Sequence, residues 1–136
     1  MPLMIWNERM SVGVAAIDDQ HKTLVSLLNE LGDSMQAGKS KEALGAILDS
    51  LISYTETHFK YEEDLFSNTT YPDTVIHKKE HEDLVQRALD IQAKYKAGSG
   101  SALSVEVLTF LKNWLTTHIM GTDKKYTVYM HAAGIK

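Results

Sequence analysis

The chain has 136 residues, a length that fits one domain with little sequence left over. Its hydrophobic fraction is 43%, which is enough for a buried core and too high for a disordered chain. With 14 Lys and Arg against 18 Asp and Glu, the formal net charge is −4, so the chain lacks the positive field that nucleic acids or anionic membranes require. We therefore expect a single domain over residues 1–136 that binds no nucleic acid.

The absence of cysteine excludes disulfides, thiolate zinc sites, iron–sulfur clusters and a cysteine nucleophile. No apolar run approaches the about 20 residues that a membrane-spanning helix needs. Near the N-terminus, Asn7, Glu8 and Arg9 interrupt the only stretch that could serve as the apolar part of a signal peptide. These features predict a cytoplasmic protein with no membrane insertion.

The first sixteen residues, which include Trp6, show no helical periodicity, and we expect them to form an irregular arm packed across the fold. Apolar residues then recur at three- and four-residue steps, which is the spacing of one helix face. Asp18 is a plausible N-cap of this first helix, which ends before Gly38. The apolar face comprises Leu24, Leu28, Leu31 and Met35.

A second long helix is predicted from Ser40, a plausible N-cap, to the segment SNTTYPD, which breaks the pattern. Its inward stripe alternates steps of four and three residues, as in the helices of a bundle. That stripe comprises Leu44, Leu48, Leu51, Thr55, His58, Glu62 and Leu65.

A third helix has Pro72 in its predicted first turn, and the Gly- and Ser-rich segment KAGSGSALS leads to a fourth, with Ser104 as its cap. The stripes of these helices comprise His77, His81, Leu84, Ala88, Ile91 and Tyr95, and Leu108, Leu111, Leu115 and His118. Short connections between helices favour antiparallel neighbours. The sequence thus predicts an all-α, up-down-up-down four-helix bundle with an irregular N-terminal arm and a short C-terminal tail.

Five of the six histidines, together with one glutamate, lie on inward helix faces where leucine is expected. They are His21, His58, His77, His81 and His118, with Glu62. One inward histidine is usually a hydrogen-bonded core residue. Five imidazoles and a carboxylate in one apolar interior would be costly to bury unless one partner satisfied them together. A metal does so, and imidazole with carboxylate but no sulfur suits iron, manganese, zinc or copper better than calcium or magnesium.

Asp123 needs a separate argument, because it lies five residues after His118 and thus about 140° away around an unbroken helix. It can join the site only if the helix ends or is distorted between the two residues. Gly121 offers such a break, and a local π-bulge would have the same effect. Taken alone, Asp123 is more simply interpreted as a solvated residue that starts the tail.

Two further residues of ligand type are predicted to lie outside the site. Glu63 is turned by about 100° from Glu62 and is expected to be solvated. His131, in the tail, has no partner at helical spacing and is expected to be exposed. The Glu-x-x-His signature of carboxylate-rich di-iron oxidases is missing, since no glutamate lies three residues before any of the five inward histidines.

Four segments of the chain resemble the hemerythrin family, and within it the single-domain bacterial hemerythrins. The segments are IDDQHKTL, HFKYEEDLF, YPDTVIHKKEH and WLTTHIMGTDKKY, and the resemblance runs from about Trp6 to Tyr126. It implies that His77, His81 and His118 ligate one iron, that His21 and His58 ligate the other, and that Glu62 and Asp123 bridge both. One departure is Phe66, where the family often has Met, and we expect altered packing there with no loss of a ligand.

The resemblance also implies a cofactor of two non-haem iron ions, Fe2+ or Fe3+, with a bridging oxo or hydroxo group. Two six-coordinate irons take about twelve bonds, and this ligand set with one bridge leaves a single position open on the iron held by two histidines. The family binds dioxygen there. We therefore expect reversible O2 binding for storage, delivery or buffering, in a monomer that is not an enzyme and that serves an unidentified recipient protein. The alternatives are an O2 or redox sensor and a di-iron enzyme that reduces peroxide or nitric oxide.

An apolar pocket would slow the loss of bound dioxygen to side reactions with water. Leu115 and Ile119 flank His118, and Phe59 and Trp114 are candidates for the other walls. Large apolar residues on a helix stripe are equally expected to be ordinary core. Leu115 is the strongest of the four pocket candidates.

Overall fold

The computed structural model describes residues 4–39, 41–98 and 105–136, and every regular element in this part of the chain is a helix. The α-helices are α1 (Ala15–Gln36), α2 (Lys41–Phe66), α3 (Thr74–Lys96), α4 (Val105–Thr117) and α5 (Thr127–Ala132). Helix α1 packs on α2, α2 on α3, and α4 on α1, which is the predicted four-helix bundle. Within the described ranges, no helix is both long and apolar enough to span a membrane.

The core of the bundle is formed by the apolar helix stripes predicted from the sequence. Its leucines are Leu24, Leu28, Leu31, Leu48, Leu51, Leu108, Leu111 and Leu115, each no more than 5% exposed. Complete burial of one such side chain contributes about 1.5–3 kcal/mol. The same stripes continue into the histidines, so the packing of the core also sets the position of those rings.

The N-terminal arm is irregular apart from a short 3-10 turn at Glu8–Met10, and it packs against the bundle. Helix α1 begins at Ala15, so the prediction that Asp18 caps it is wrong. Instead, the Asp18 carboxylate accepts hydrogen bonds from the backbone N–H of Val12, at 2.8 Å, and from the hydroxyl of Ser11. Asp18 therefore ties the arm to the first turn of α1.

The predicted start of α3 also needs correction. Pro72 lies two residues before the first residue of α3, and Asp73 occupies the N-cap position. The restricted backbone of proline thus shapes the turn before the helix and not its first turn. The two other predicted caps, Ser40 and Ser104, lie outside the described residues.

The short C-terminal tail is helical and packs against the N-terminal arm. In α5, Thr127 donates a hydrogen bond to the carbonyl of Val12 at 2.6 Å. His131 is exposed, as predicted, but its Nε2 donates to the carbonyl of Gly13 at 2.7 Å. Tyr126 and Met130 from this segment are fully buried in a second apolar cluster with Val12, Val14 and Ile17. The two ends of the described chain are therefore packed together beside α1.

Candidate metal centre

The seven side chains singled out as metal ligands are all buried, none more than 5% exposed. They form two groups that share two carboxylates. One group is Glu62, His77, His81, His118 and Asp123, and the other is His21, His58, Glu62 and Asp123. Within each group, one ligand atom from every residue lies within 4.8 Å of the others. We call them the three-histidine group and the two-histidine group.

Helical spacing explains why most of these side chains meet. His58 and Glu62 are four residues apart on α2, and His77 and His81 are four apart on α3, so each pair projects from one helix face. His21 enters from α1, one turn after the fully buried Ile17. Because the antiparallel helices bring these faces together, the ligand atoms converge at one level of the bundle.

A change in helix type after α4 brings Asp123 to the same face as His118. The backbone widens into a π-helical turn over His118–Thr122 and then tightens into a 3-10 turn over Asp123–Tyr126. A π turn accommodates one additional residue, so side chains five apart can share a face. The Oδ1 atom of Asp123 lies 3.0 Å from Nε2 of His118, and the aspartate is completely buried. Of the two alternatives left open by the sequence, the structure shows the π distortion, and Asp123 is buried instead of solvated.

The spacing of the ligand atoms suits a bound transition metal. Asp123 Oδ1 is 3.0 Å from His77 Nε2, and Asp123 Oδ2 is 3.1 Å from His21 Nε2. His81 Nε2 is 3.2 Å from both Glu62 Oε1 and His118 Nε2. Two ligand atoms placed about 2.1 Å from one ion, at right angles, are about 3.0 Å apart. The observed distances are close to that separation.

Several polar atoms in the cluster are buried and make no hydrogen bond, although buried polar groups are normally paired. Among the converging ligand atoms these are Nε2 of His21, His58 and His77, Oε1 of Glu62, and both carboxylate oxygens of Asp123. Metal ions at the centres of the two groups would satisfy these atoms together. The donor set of imidazole nitrogens and carboxylate oxygens, without sulfur, suits iron, manganese, zinc or copper. The residues therefore fit a pair of such ions.

The protonation of two of the clustered histidines also favours metal binding. Burial lowers the pKa of His58 to about 4 and, against the raising effect of its hydrogen bond to Glu63, lowers the pKa of His81 to about 4. Both rings are therefore neutral near pH 7, which is the form that ligates a metal. Although burial alone would raise the pKa of Asp123, the histidines around it hold that pKa well below its usual value.

Three residues that sequence reasoning did not place in the site contact its candidate ligands. Glu63 Oε2 lies 2.9 Å from Nδ1 of His81, so the prediction of a merely solvated Glu63 is wrong. Gln20 Oε1 lies 2.6 Å from Nδ1 of His58, and Tyr126 donates a hydrogen bond to Glu62. These contacts cross between helices, or between a helix and the C-terminal segment, so no spacing within one helix could have indicated them.

The four candidates for an apolar pocket differ in the residues that they contact. Phe59 is stacked on His81, with ring centroids 3.8 Å apart and an interplanar angle of 3°. The half-buried Trp114 borders a cavity of about 290 Å³ that reaches His118. Both aromatic rings thus adjoin the three-histidine group. Leu115 and Ile119 are buried in the main apolar cluster, which also contains Leu24 and Leu28.

Phe66 packs beside the cluster at the end of α2. It is 2% exposed, and its ring centroid lies 4.9 Å from that of His77 and 5.4 Å from that of Tyr126. The side chain thus fills space between a candidate ligand and the C-terminal segment, and it supplies no ligand atom.

A four-helix bundle that encloses two adjoining groups of imidazole and carboxylate ligands defines a class of helical cation-binding proteins. The family model described as "Hemerythrin HHE cation binding domain" matches residues 12–128. The chain belongs to the hemerythrin family.

Individual relatives agree with this assignment. A bacteriohemerythrin of Methylococcus capsulatus is 38% identical over 127 residues, covering 93% of this chain and 95% of that protein. A bacteriohemerythrin of Stenotrophomonas maltophilia is 33% identical over 126 residues, covering 93% of this chain and 80% of that protein. The crystal structure of a wild-type hemerythrin superimposes with a TM-score of 0.87 and 36% identity, covering 93% of this chain and 97% of the other.

Proposed function

We propose that the chain binds dioxygen reversibly at a dinuclear non-haem iron centre, and that it stores, delivers or buffers O2. The observation that carries the proposal is the pair of buried ligand groups, five histidines in all, joined by Glu62 and Asp123. Relatives named bacteriohemerythrin, at 32–38% identity over most of the chain, support it.

In this proposal the three-histidine group would hold one iron and the two-histidine group the other. The carboxylates of Glu62 and Asp123 would contact both, because each lies within reach of histidines from both groups. When bound, the two ions would supply the electrons for reversible binding of dioxygen. The ligands on the protein side are mostly imidazoles, whereas carboxylate-rich shells better support highly oxidised iron. This balance favours reversible binding over oxidase chemistry.

The chain's own residues would keep the site dry and its ligands in place. His58 and His81 are held at Nδ1 by Gln20 and Glu63, which leaves Nε2 of each ring free to ligate. Burial of all seven ligands limits the access of water, which would otherwise promote loss of bound dioxygen as a reduced species.

The test is an optical spectrum of the protein loaded with Fe2+ under argon, then exposed to O2, then purged with argon. A coloured species that appears with O2 and disappears on purging, with the reduced state restored, is the expected result. Irreversible oxidation would indicate a sensor or an enzyme, and no iron-dependent colour would indicate another metal. Two histidine variants give a matched control, since His77→Asn should abolish the reversible colour and His131→Asn, outside the cluster, should retain it.

A further inference from the structure

Two candidate ligands are held at their outer ring nitrogen by partners of different charge. His81 Nδ1 faces the carboxylate of Glu63 at 2.9 Å, whereas His58 Nδ1 faces the amide oxygen of Gln20 at 2.6 Å. Because both partner atoms are acceptors, each ring must carry its proton on Nδ1. Each ring then directs an unprotonated Nε2 at the ligand cluster. The geometry of the two contacts is alike, but one partner is a carboxylate and the other a neutral amide.

Neighbouring side chains hold His81 in contact with Glu63. Phe59 lies flat against the His81 ring, with centroids 3.8 Å apart, so the ring has little freedom to rotate away from Glu63. The Glu63 side chain is 29% exposed and borders a cavity of about 390 Å³, together with Lys60 and Glu56. Glu63 thus links a candidate ligand on α3 to a solvent-accessible cavity beside α2.

We propose that Glu63 is a positioning residue that makes the three-histidine metal more easily oxidised than the two-histidine metal, an inference that rests on the proposed function. A carboxylate that accepts a hydrogen bond from a ligating histidine raises the basicity of the ligating nitrogen. A more basic ligand stabilises the higher positive charge of an oxidised metal. Gln20 orients His58 in the same way but adds no charge, so the two metal positions are electronically unequal.

The test compares the midpoint potential of the iron-loaded protein with those of Glu63→Gln and Gln20→Glu. The measured step is the loss of one electron from the reduced centre to an electrode through a soluble mediator. Glu63→Gln keeps an acceptor for His81 and removes the charge, and we expect oxidation to become about tenfold less favourable. For a one-electron couple this is a rise of about 59 mV in the midpoint potential. Gln20→Glu should shift the potential in the opposite direction.

Glu56→Gln is the matched control, because Glu56 borders the same cavity and carries the same charge, but is exposed. A second readout is the affinity for Zn2+, which has no redox chemistry. Loss of a partner of a ligating histidine typically weakens metal binding by about 10–100-fold. We expect Glu63→Gln to approach the lower end of that range and Glu56→Gln to bind Zn2+ as the unmodified protein does.

Equal potentials for Glu63→Gln and Glu56→Gln would overturn the inference, while reversible O2 binding by the unmodified protein would leave the proposed function intact. Failure of the unmodified protein to take up two irons would overturn both. Circular dichroism of each variant reports whether it is folded. If Glu63→Gln does not fold, the potential of Gln20→Glu decides, and an unchanged or higher value there contradicts the inference.

Discussion

Tyr126 donates a hydrogen bond from its phenol to Oε2 of Glu62, and both side chains are completely buried. The contact joins the 3-10 turn that begins at Asp123 to the C-terminal part of α2. Burial, with the nearby carboxylates of Glu62 and Asp123, raises the pKa of Tyr126 well above its usual value, so the phenol remains a donor at any ordinary pH. A residue from the predicted tail thus orients a carboxylate that reaches both ligand groups.

Replacing Tyr126 by Phe should destabilise the protein by about 1–3 kcal/mol, because a buried carboxylate oxygen of Glu62 would lose its partner. Chemical denaturation of the metal-free protein measures this change. Tyr71→Phe is the control, since that ring lies in the same aromatic cluster, 6.2 Å from the Tyr126 ring. A similar loss in both variants would show that the hydrogen bond to Glu62 is not the cause.

Replacing Asp123 by Asn should weaken metal binding more than the about 10–100-fold typical of changes to residues that only support a ligand. The carboxylate oxygens of Asp123 lie within 3.1 Å of Nε2 atoms from both His21 and His77, and an amide nitrogen cannot ligate in place of an oxygen. Metal stoichiometry and a competition titration with a chelator measure the effect. The exposed Asp64, changed to Asn, is the matched control, and equal affinities for the two variants would remove Asp123 from the ligand set.

Replacing Leu115 by Asn should speed irreversible oxidation of the iron-loaded protein in air. Leu115 is 4% exposed in the main apolar cluster and lies three residues before His118, so a polar side chain there would bring water closer to the centre. The decay of the O2-dependent colour gives the rate. Leu115→Met preserves apolar character and volume and should decay like the unmodified protein, whereas equal rates in all three would exclude Leu115 from the pocket.

The stability of the metal-free protein should depend on pH through His58. Burial lowers the pKa of His58 to about 4 in the folded protein, whereas the unfolded chain binds that proton below about 6.5. The contribution of His58 is therefore complete above pH 6.5 and is lost as the pH falls towards 4. Between pH 7 and pH 5 the loss is about 2 kcal/mol.

His58→Asn isolates this contribution, because asparagine does not titrate in that range. Free energies of unfolding measured at pH 7 and pH 5 should fall by about 2 kcal/mol more for the unmodified protein than for the variant. Parallel pH dependences would mean that His58 is not responsible.

Much of the fold and of the ligand cluster could be predicted from the sequence, because both depend on spacing within single helices. Residues three or four apart share a helix face whatever the neighbouring helices do. His58 with Glu62, and His77 with His81, could therefore be assigned to inward faces from their spacing alone. The apolar stripes that continue from these residues predicted the bundle by the same rule.

Backbone details at the helix ends could not be predicted in this way. The five-residue separation of His118 and Asp123 was compatible with a solvated aspartate or with a π distortion, and only the folded backbone shows the π turn. Asp18 had the side chain of a helix cap, but the helix begins earlier, at Ala15, and Asp18 instead accepts hydrogen bonds from Ser11 and Val12 of the arm. Competing local hydrogen bonds of similar energy are resolved by the surrounding packing.

By itself, the sequence determined the helices, their buried faces and the chemical character of the ligand cluster, since helical periodicity acts over a few residues. Only the tertiary structure decided that Glu63 meets His81, that Gln20 meets His58, and that Tyr126 meets Glu62. Each of these pairs joins separate elements. Their contact depends on how far each helix is shifted and rotated against its neighbour, which is set by the packing of the whole core and not by any local pattern.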